Sequence, residues 1–255
     1  MKMARLLVLL LVLLTATASA AQGPVFLLGG NSLKGAVFAD ALRPALKEGF
    51  QGRTRVALIL DAVHPDDRDA MEARLVVAFR DLGAAAESTH RLDPAAARAR
   101  LEAADGIFIV GGETFVLLAE LNRSGNLERI RSRVRAGVPY AGSSAGANVA
   151  GIVIGTTNDF PVAEIPSRRA LGLVPVTINP HHPLPSAEAD FRTRAGKIRS
   201  YLRFNPADVV LGIGDTSMVG WREGKLTLLA GSAWLYRAGS DRELKAGEPV
   251  DGLAR

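Results

Sequence analysis

Cysteine is absent from all 255 residues. The chain therefore has no disulfide scaffold and no thiolate nucleophile, and it must be stable through its core alone. A concentrated basic face is also missing. The formal net charge is +5, but the basic residues are spread along the chain, whereas phosphate tracking needs them gathered, so no nucleic-acid partner is expected. No Pro/Ser linker, charge block or internal repeat divides the sequence. Neither GNSLKG (30–35) nor GGETF (111–115) has the Walker lysine arrangement or full dinucleotide spacing, and no HExxH or Cys/His spacing is present. No cofactor and no metal are expected. Their glycines read as tight strand-to-helix turns.

A long membrane-spanning run is missing too. The unbroken apolar stretch from Leu6 to Leu14 is far short of the roughly 20 residues that cross a bilayer. Lys2 and Arg5 precede it, and Ala18-Ser19-Ala20 follows, which is the three-part layout of a secretory signal peptide. Residues 1–20 are expected to be cleaved, leaving residues 21–255 as a single periplasmic or secreted domain with no membrane contact. Without Lys2 and Arg5 the formal charge falls from +5 to +3.

What the chain does have is an alternation of short apolar runs and helical patterns. Runs at 24–30, 56–62, 106–112, 138–143, 176–182, 208–215 and 226–231 read as strands. Residues 67–83, 95–104 and 127–137 read as helices. This order predicts an α/β fold whose mainly parallel sheet is flanked by helices, tending toward antiparallel strands late in the chain. Sites on such sheets gather at the carboxyl ends of the strands.

One such end carries Gly142-Ser143-Ser144-Ala145-Gly146. It matches G-x-S-x-G, in which a strand turns abruptly into a helix and presents a serine in a strained, exposed position. Ser144 is the candidate nucleophile. The backbone N–H of Ala145, at the helix start, and one from the Gly111-Gly112 turn are candidate oxyanion donors. A base must come from His64, His90, His181 or His182. His64 in HPDDRD and His90 in STHRL read as exposed, whereas His181 follows the end of an apolar strand, and His182 points the other way in an extended segment. The carboxylate that orients the imidazole is either Asp159 in GTTNDFP or Asp215 in GIGDTS, and the pattern leaves both open.

Taken together, VGGETF (110–115), YAGSSAGANVAG (140–151), TTNDFP (156–161), INPHH (178–182) and RTRAGKIRSYL (192–202) resemble the aspartyl dipeptidase, or peptidase E, family of serine peptidases, related to the cyanophycinases. The resemblance implies a class I glutamine amidotransferase-like, three-layer fold of flavodoxin type. It also implies a triad of Ser144, His181 and Asp159, with an oxyanion hole at Gly112 and Ala145. Substrate contacts are implied at Glu113, Thr114 and Arg194, with the fork of Arg194 suited to the carboxylate of the N-terminal aspartate. The implied reaction is hydrolysis of dipeptides or short peptides with an N-terminal aspartate. The chain departs from the family pattern at Glu113, where many members have asparagine, and at Ser143, where many have an aromatic residue and where a small side chain is expected to open the pocket. Two other readings are a cyanophycinase-like hydrolase of β-aspartyl linkages and a non-catalytic binding protein on the same fold.

Overall fold

The computed structural model describes residues 21–253, so the expected signal peptide lies outside the described residues. In chain order, β1 (Val25–Leu28) leads into a small hairpin of β2 (Leu33–Lys34) and β3 (Val37–Phe38), then α1 (Arg43–Phe50), β4 (Val56–Ile59), α2 (Arg68–Asp81) and β5 (Ala86–Ser88). The middle of the chain holds α3 (Pro94–Ala103), β6 (Gly106–Ile109), α4 (Thr114–Arg123), α5 (Asn126–Arg135), β7 (Tyr140–Ser143) and α6 (Ala145–Ala150). Then come β8 (Thr177–Asn179), α7 (Glu188–Phe204), β9 (Val210–Ile213), β10 (Met218–Arg222), β11 (Lys225–Ala230), β12 (Ala233–Arg237), β13 (Ser240–Glu243) and β14 (Pro249–Val250).

The larger sheet has the order β14-β11-β10-β1-β7-β6-β4-β5. Its five strands from β1 to β5 run parallel, and β10, β11 and β14 continue it antiparallel beyond β1. The four inner parallel strands, β1, β4, β6 and β7, are buried on both faces because helices cover both. Residues along each strand alternate between two cores. Val25, Leu27, Ala57, Ile59, Ile107 and Ile109 face α3, α4, α5 and α6, while Phe26, Leu28, Val56, Leu58 and Phe108 face α1 and α2. On that second face Phe38, Phe50, Phe79 and Phe108 meet edge to face, with centroids 5.4 to 5.7 Å apart.

A second sheet, β13-β12-β9-β8, shares the first of these cores through Ile178, Leu211, Ile213 and Leu235. In it β8 and β9 are parallel, with Asn179 opposite Gly212. The two sheets bring their carboxyl ends together: the N–H of His181, past β8, donates to Gly29 O, past β1, at 3.0 Å. Leu28 of β1 in turn lies opposite Ser143 of β7. The carboxyl ends of β1, β7 and β8, from two sheets, thus lie side by side.

Candidate active site

Ser144 sits where β7 gives way to α6, with φ 52° and ψ −111°. Its N–H donates to Leu28 O at 2.9 Å, and its carbonyl accepts from Asn148 N, starting the helix. So sharp a turn folds α6 back against its own strand and against β6. A Cβ at Gly146 would lie 2.1 Å from Ile109 O, which leaves room only for glycine. The buried Tyr140 hydroxyl fixes the turn from below by donating to Gly146 O at 2.6 Å, and burial raises its pKa well above 10. Ser143 is buried, its hydroxyl 3.0 Å from that of Ser32. It packs beneath the turn, against Ser32.

Ser144 Oγ lies 2.8 Å from His181 Nε2, and His181 Nδ1 lies 2.6 Å from Asp215 Oδ1. The imidazole therefore bridges a hydroxyl and a carboxylate. The other carboxylate oxygen, Oδ2, accepts from Asn31 Nδ2 at 2.8 Å. The His181 and Asp215 side chains are 42% and 45% exposed, open enough for a substrate to reach. Among the described residues, five that are not glycine have positive φ, and Asn31, Ser144, His181 and Thr216 all belong to this cluster or adjoin it. Each such conformation costs about 1–3 kcal/mol and persists only where its surroundings hold it.

This geometry corrects the expectation for Asp159. Its Oδ2 accepts the N–H of Thr114 at 2.9 Å, capping the start of α4, while the His181 Nδ1 position is taken by Asp215. Thr114 is corrected too: its side chain is buried, and its hydroxyl accepts from Thr157 Oγ1 at 3.2 Å, out of a substrate's reach.

The sequence pattern of Peptidase family S51 matches residues 25–229. The chain belongs to this family. Membership makes it a serine-type peptidase. A peptidase E of Streptomyces coelicolor is 40% identical over 193 residues, which cover 73% of this chain and 77% of that protein. A peptidase E of Shewanella amazonensis is 45% identical over 145 residues, 56% of this chain and 61% of that one. The fold is similar to that of a peptidase from an acI-B1 Actinobacterium, with TM-score 0.69 and 18% identity over 92% of this chain and 98% of that one. A putative peptidase E from Listeria monocytogenes EGD-e superposes with TM-score 0.62 and 22% identity over 83% of this chain and 100% of that one.

The remaining candidates of this S51 chain are placed by their backbone and side-chain contacts. The Gly111-Gly112 turn backs onto the nucleophile, since a Cβ at Gly111 would lie 2.8 Å from Ser144 Cβ. The N–H of Gly112 has no acceptor among the described residues, whereas that of Glu113 donates to Ala62 O. Ala145 is the first residue of α6, a position whose N–H has no acceptor within the helix. Glu113 is exposed at the N-cap of α4. Arg194, on α7, donates through Nη1 to Asn179 Oδ1, Pro180 O and His181 O.

Of the other histidines, His64 is exposed and caps a short 3-10 turn by accepting from Asp66 N. His90 is not exposed as expected: it is held between Ser88 and Asp69, its side chain only 8% exposed. His182 is buried, stacked on Trp234 with centroids 4.8 Å apart, and its Nε2 lies 2.8 Å from the Tyr236 hydroxyl. Asn31, Asn158 and Asn179 were missed from sequence. The only signal for Asn31 is its place after Gly29-Gly30, a glycine pair ending a strand, as Gly111-Gly112 does.

Proposed function

We propose that this chain is an exported serine exopeptidase that hydrolyses dipeptides or short peptides with an N-terminal aspartate, using Ser144, His181 and Asp215. The observation that carries the reading is the continuous chain of contacts from Ser144 Oγ through both ring nitrogens of His181 to Asp215, at 2.8 and 2.6 Å. In the first step His181 Nε2 takes the Ser144 proton as Oγ attacks the scissile carbonyl carbon, and Asp215 stabilises the imidazolium that results. The N–H groups of Gly112 and Ala145 hold the oxyanion, each contributing about 3 kcal/mol. The tetrahedral adduct collapses, the C–N bond breaks, and His181 gives its proton to the departing amine. Water, deprotonated by the same imidazole, then splits the acyl ester and returns Ser144 to its free form.

The acidic specificity rests on charge. Arg194 makes its protein hydrogen bonds through Nη1, which leaves Nη2 and Nε for a substrate carboxylate. Glu113, exposed beside the Gly112 turn, suits the free ammonium of the substrate. Export follows from the signal-peptide pattern of residues 1–20, with periplasm or medium as the destination.

Hydrolysis of Asp-Leu, Ala-Leu, a β-aspartyl dipeptide and β-Asp-Arg by residues 21–255, beside Ser144→Ala, tests this reading. Cleavage of Asp-Leu that is lost in Ser144→Ala is the expected result. Preference for a β-linked substrate would move the specificity to the cyanophycinase side, and no cleavage by the folded protein would contradict the proposal.

A further inference from the structure

We propose that Arg194 is a positioning residue for the general base: it holds the His181 loop in its left-handed conformation and so sets the line from Ser144 to Asp215. The inference rests on the reading of Ser144, His181 and Asp215 as the reacting groups. His181 has φ 54°, which a residue with a Cβ keeps only when its neighbours constrain it. On the N–H side the loop is tied by His181 N to Gly29 O at 3.0 Å and by His182 N to Ile213 O at 2.9 Å.

The carbonyl side depends on Arg194. Its Nη1 reaches Asn179 Oδ1 at 3.0 Å, Pro180 O at 3.2 Å and His181 O at 3.1 Å, three consecutive residues gathered by one nitrogen. Among the described residues, it is the one donor to the His181 carbonyl. Pro180 O and the Asn179 amide have further partners in Asn158 and Thr156, so the turn before His181 is tied elsewhere, but the carbonyl of the base itself is not. No carboxylate is within ion-pairing distance of the half-buried guanidinium among the described residues, and Asp190 and Asp215 balance its charge through space. One nitrogen of this cation, Nη1, is committed to the loop, while Nη2 and Nε stay available to the substrate. Lysine would supply the charge and three N–H donors on one nitrogen, but on a shorter stem.

A substrate-binding arginine and a positioning arginine differ in a measurable way. A small fluorophosphonate has no acidic side chain, so the rate at which it labels Ser144 reports only the nucleophile and its base. The inference predicts that Arg194→Ala lowers that labelling rate by about tenfold or more, since a misplacement of the base by a fraction of an ångström to an ångström costs rate on that order. Arg194→Lys, which keeps the charge and three donors on one nitrogen, should recover part of it. The kcat for Asp-Leu and for Ala-Leu should fall by a similar factor, with KM raised for Asp-Leu alone by loss of the carboxylate contact. Methylguanidinium at millimolar concentration should restore part of the labelling, since a cavity of about 130 Å³ lined by Thr157, Asn158, Asn179 and Lys197 adjoins the guanidinium. Arg194→Gln serves if Arg194→Ala does not fold, and thermal unfolding of each variant separates loss of fold from loss of alignment. Unchanged labelling and unchanged Ala-Leu turnover, with KM raised for Asp-Leu alone, would overturn the inference and leave Arg194 a substrate contact. Absence of labelling in the wild type would instead overturn the reading of Ser144 as an activated nucleophile, and this inference with it.

Discussion

Asp215 Oδ1 lies 2.6 Å from His181 Nδ1, while Asp215 Oδ2 accepts a hydrogen bond from Asn31 Nδ2 at 2.8 Å. Both carboxylate oxygens are thereby committed, one to the imidazole and one to the loop after β1. Such a contact fixes the plane of the carboxylate and, through it, the tautomer and tilt of the ring.

Loss of the Asn31 amide should let that plane turn. Asn31→Ala is expected to lower kcat about tenfold with KM nearly unchanged, the order of loss that a slight misplacement of a reacting group brings. Steady-state kinetics on the best-cleaved dipeptide checks it, and a wild-type kcat would show that the Asn31 contact does not orient Asp215.

Gly30 is where the His181–Asp215 pair needs space. It has φ 149°, and a Cβ there would lie 2.1 Å from His181 Cε1, 2.4 Å from Nδ1 and 2.6 Å from Asp215 Oδ1. Gly30→Ala should displace the ring and lower kcat by about 100-fold or more, the order expected of a misplacement near 1 Å. Circular dichroism would show the fold retained, and activity close to wild type would mean that the ring can move without loss.

His182 should make stability depend on pH. Burial beside Phe191, Trp234 and Tyr236 pushes its pKa down from 6.5 to about 4, with the nearby Arg194 cation acting in the same direction and the bond to Pro183 O opposing both. The folded chain thus holds it neutral. Below about pH 6.5 the unfolded chain takes up a proton that the folded chain refuses until about pH 4, so stability falls as pH drops through that window, by up to about 3 kcal/mol. Urea unfolding at pH 7 and pH 4.5 should show a smaller loss for His182→Gln than for wild type. Equal losses would remove His182 as the source.

The strands that position the site were legible because each is an apolar run ending in small residues: β1 before Gly29-Gly30, β6 before Gly111-Gly112, and β7 before Ser144. β5 and β13 were not, since Ala86–Ser88 and Ser240–Glu243 lie on sheet edges and carry no apolar run. Ser144 and His181 could be named from local pattern, but the choice between Asp159 and Asp215 could not. It depends on a pairing between distant segments: β8 and β9 run parallel with Asn179 opposite Gly212, so His181 and Asp215 leave neighbouring strands at the same end. Asp159 follows α6 closely in sequence but turns its carboxylate to the start of α4. His90 misled for a related reason, because nothing in STHRL indicates that Asp69, on α2, closes over it.

The most direct test compares kcat for the best-cleaved dipeptide in Asp215→Asn and Asp159→Asn. Asp215→Asn should lower kcat by about 10,000-fold, the effect of depriving a catalytic imidazole of its carboxylate. Asp159→Asn should weaken the α4 cap by about 1 kcal/mol, visible in Tm, and leave kcat within about tenfold. A large loss in Asp159→Asn beside a mild one in Asp215→Asn would contradict the account.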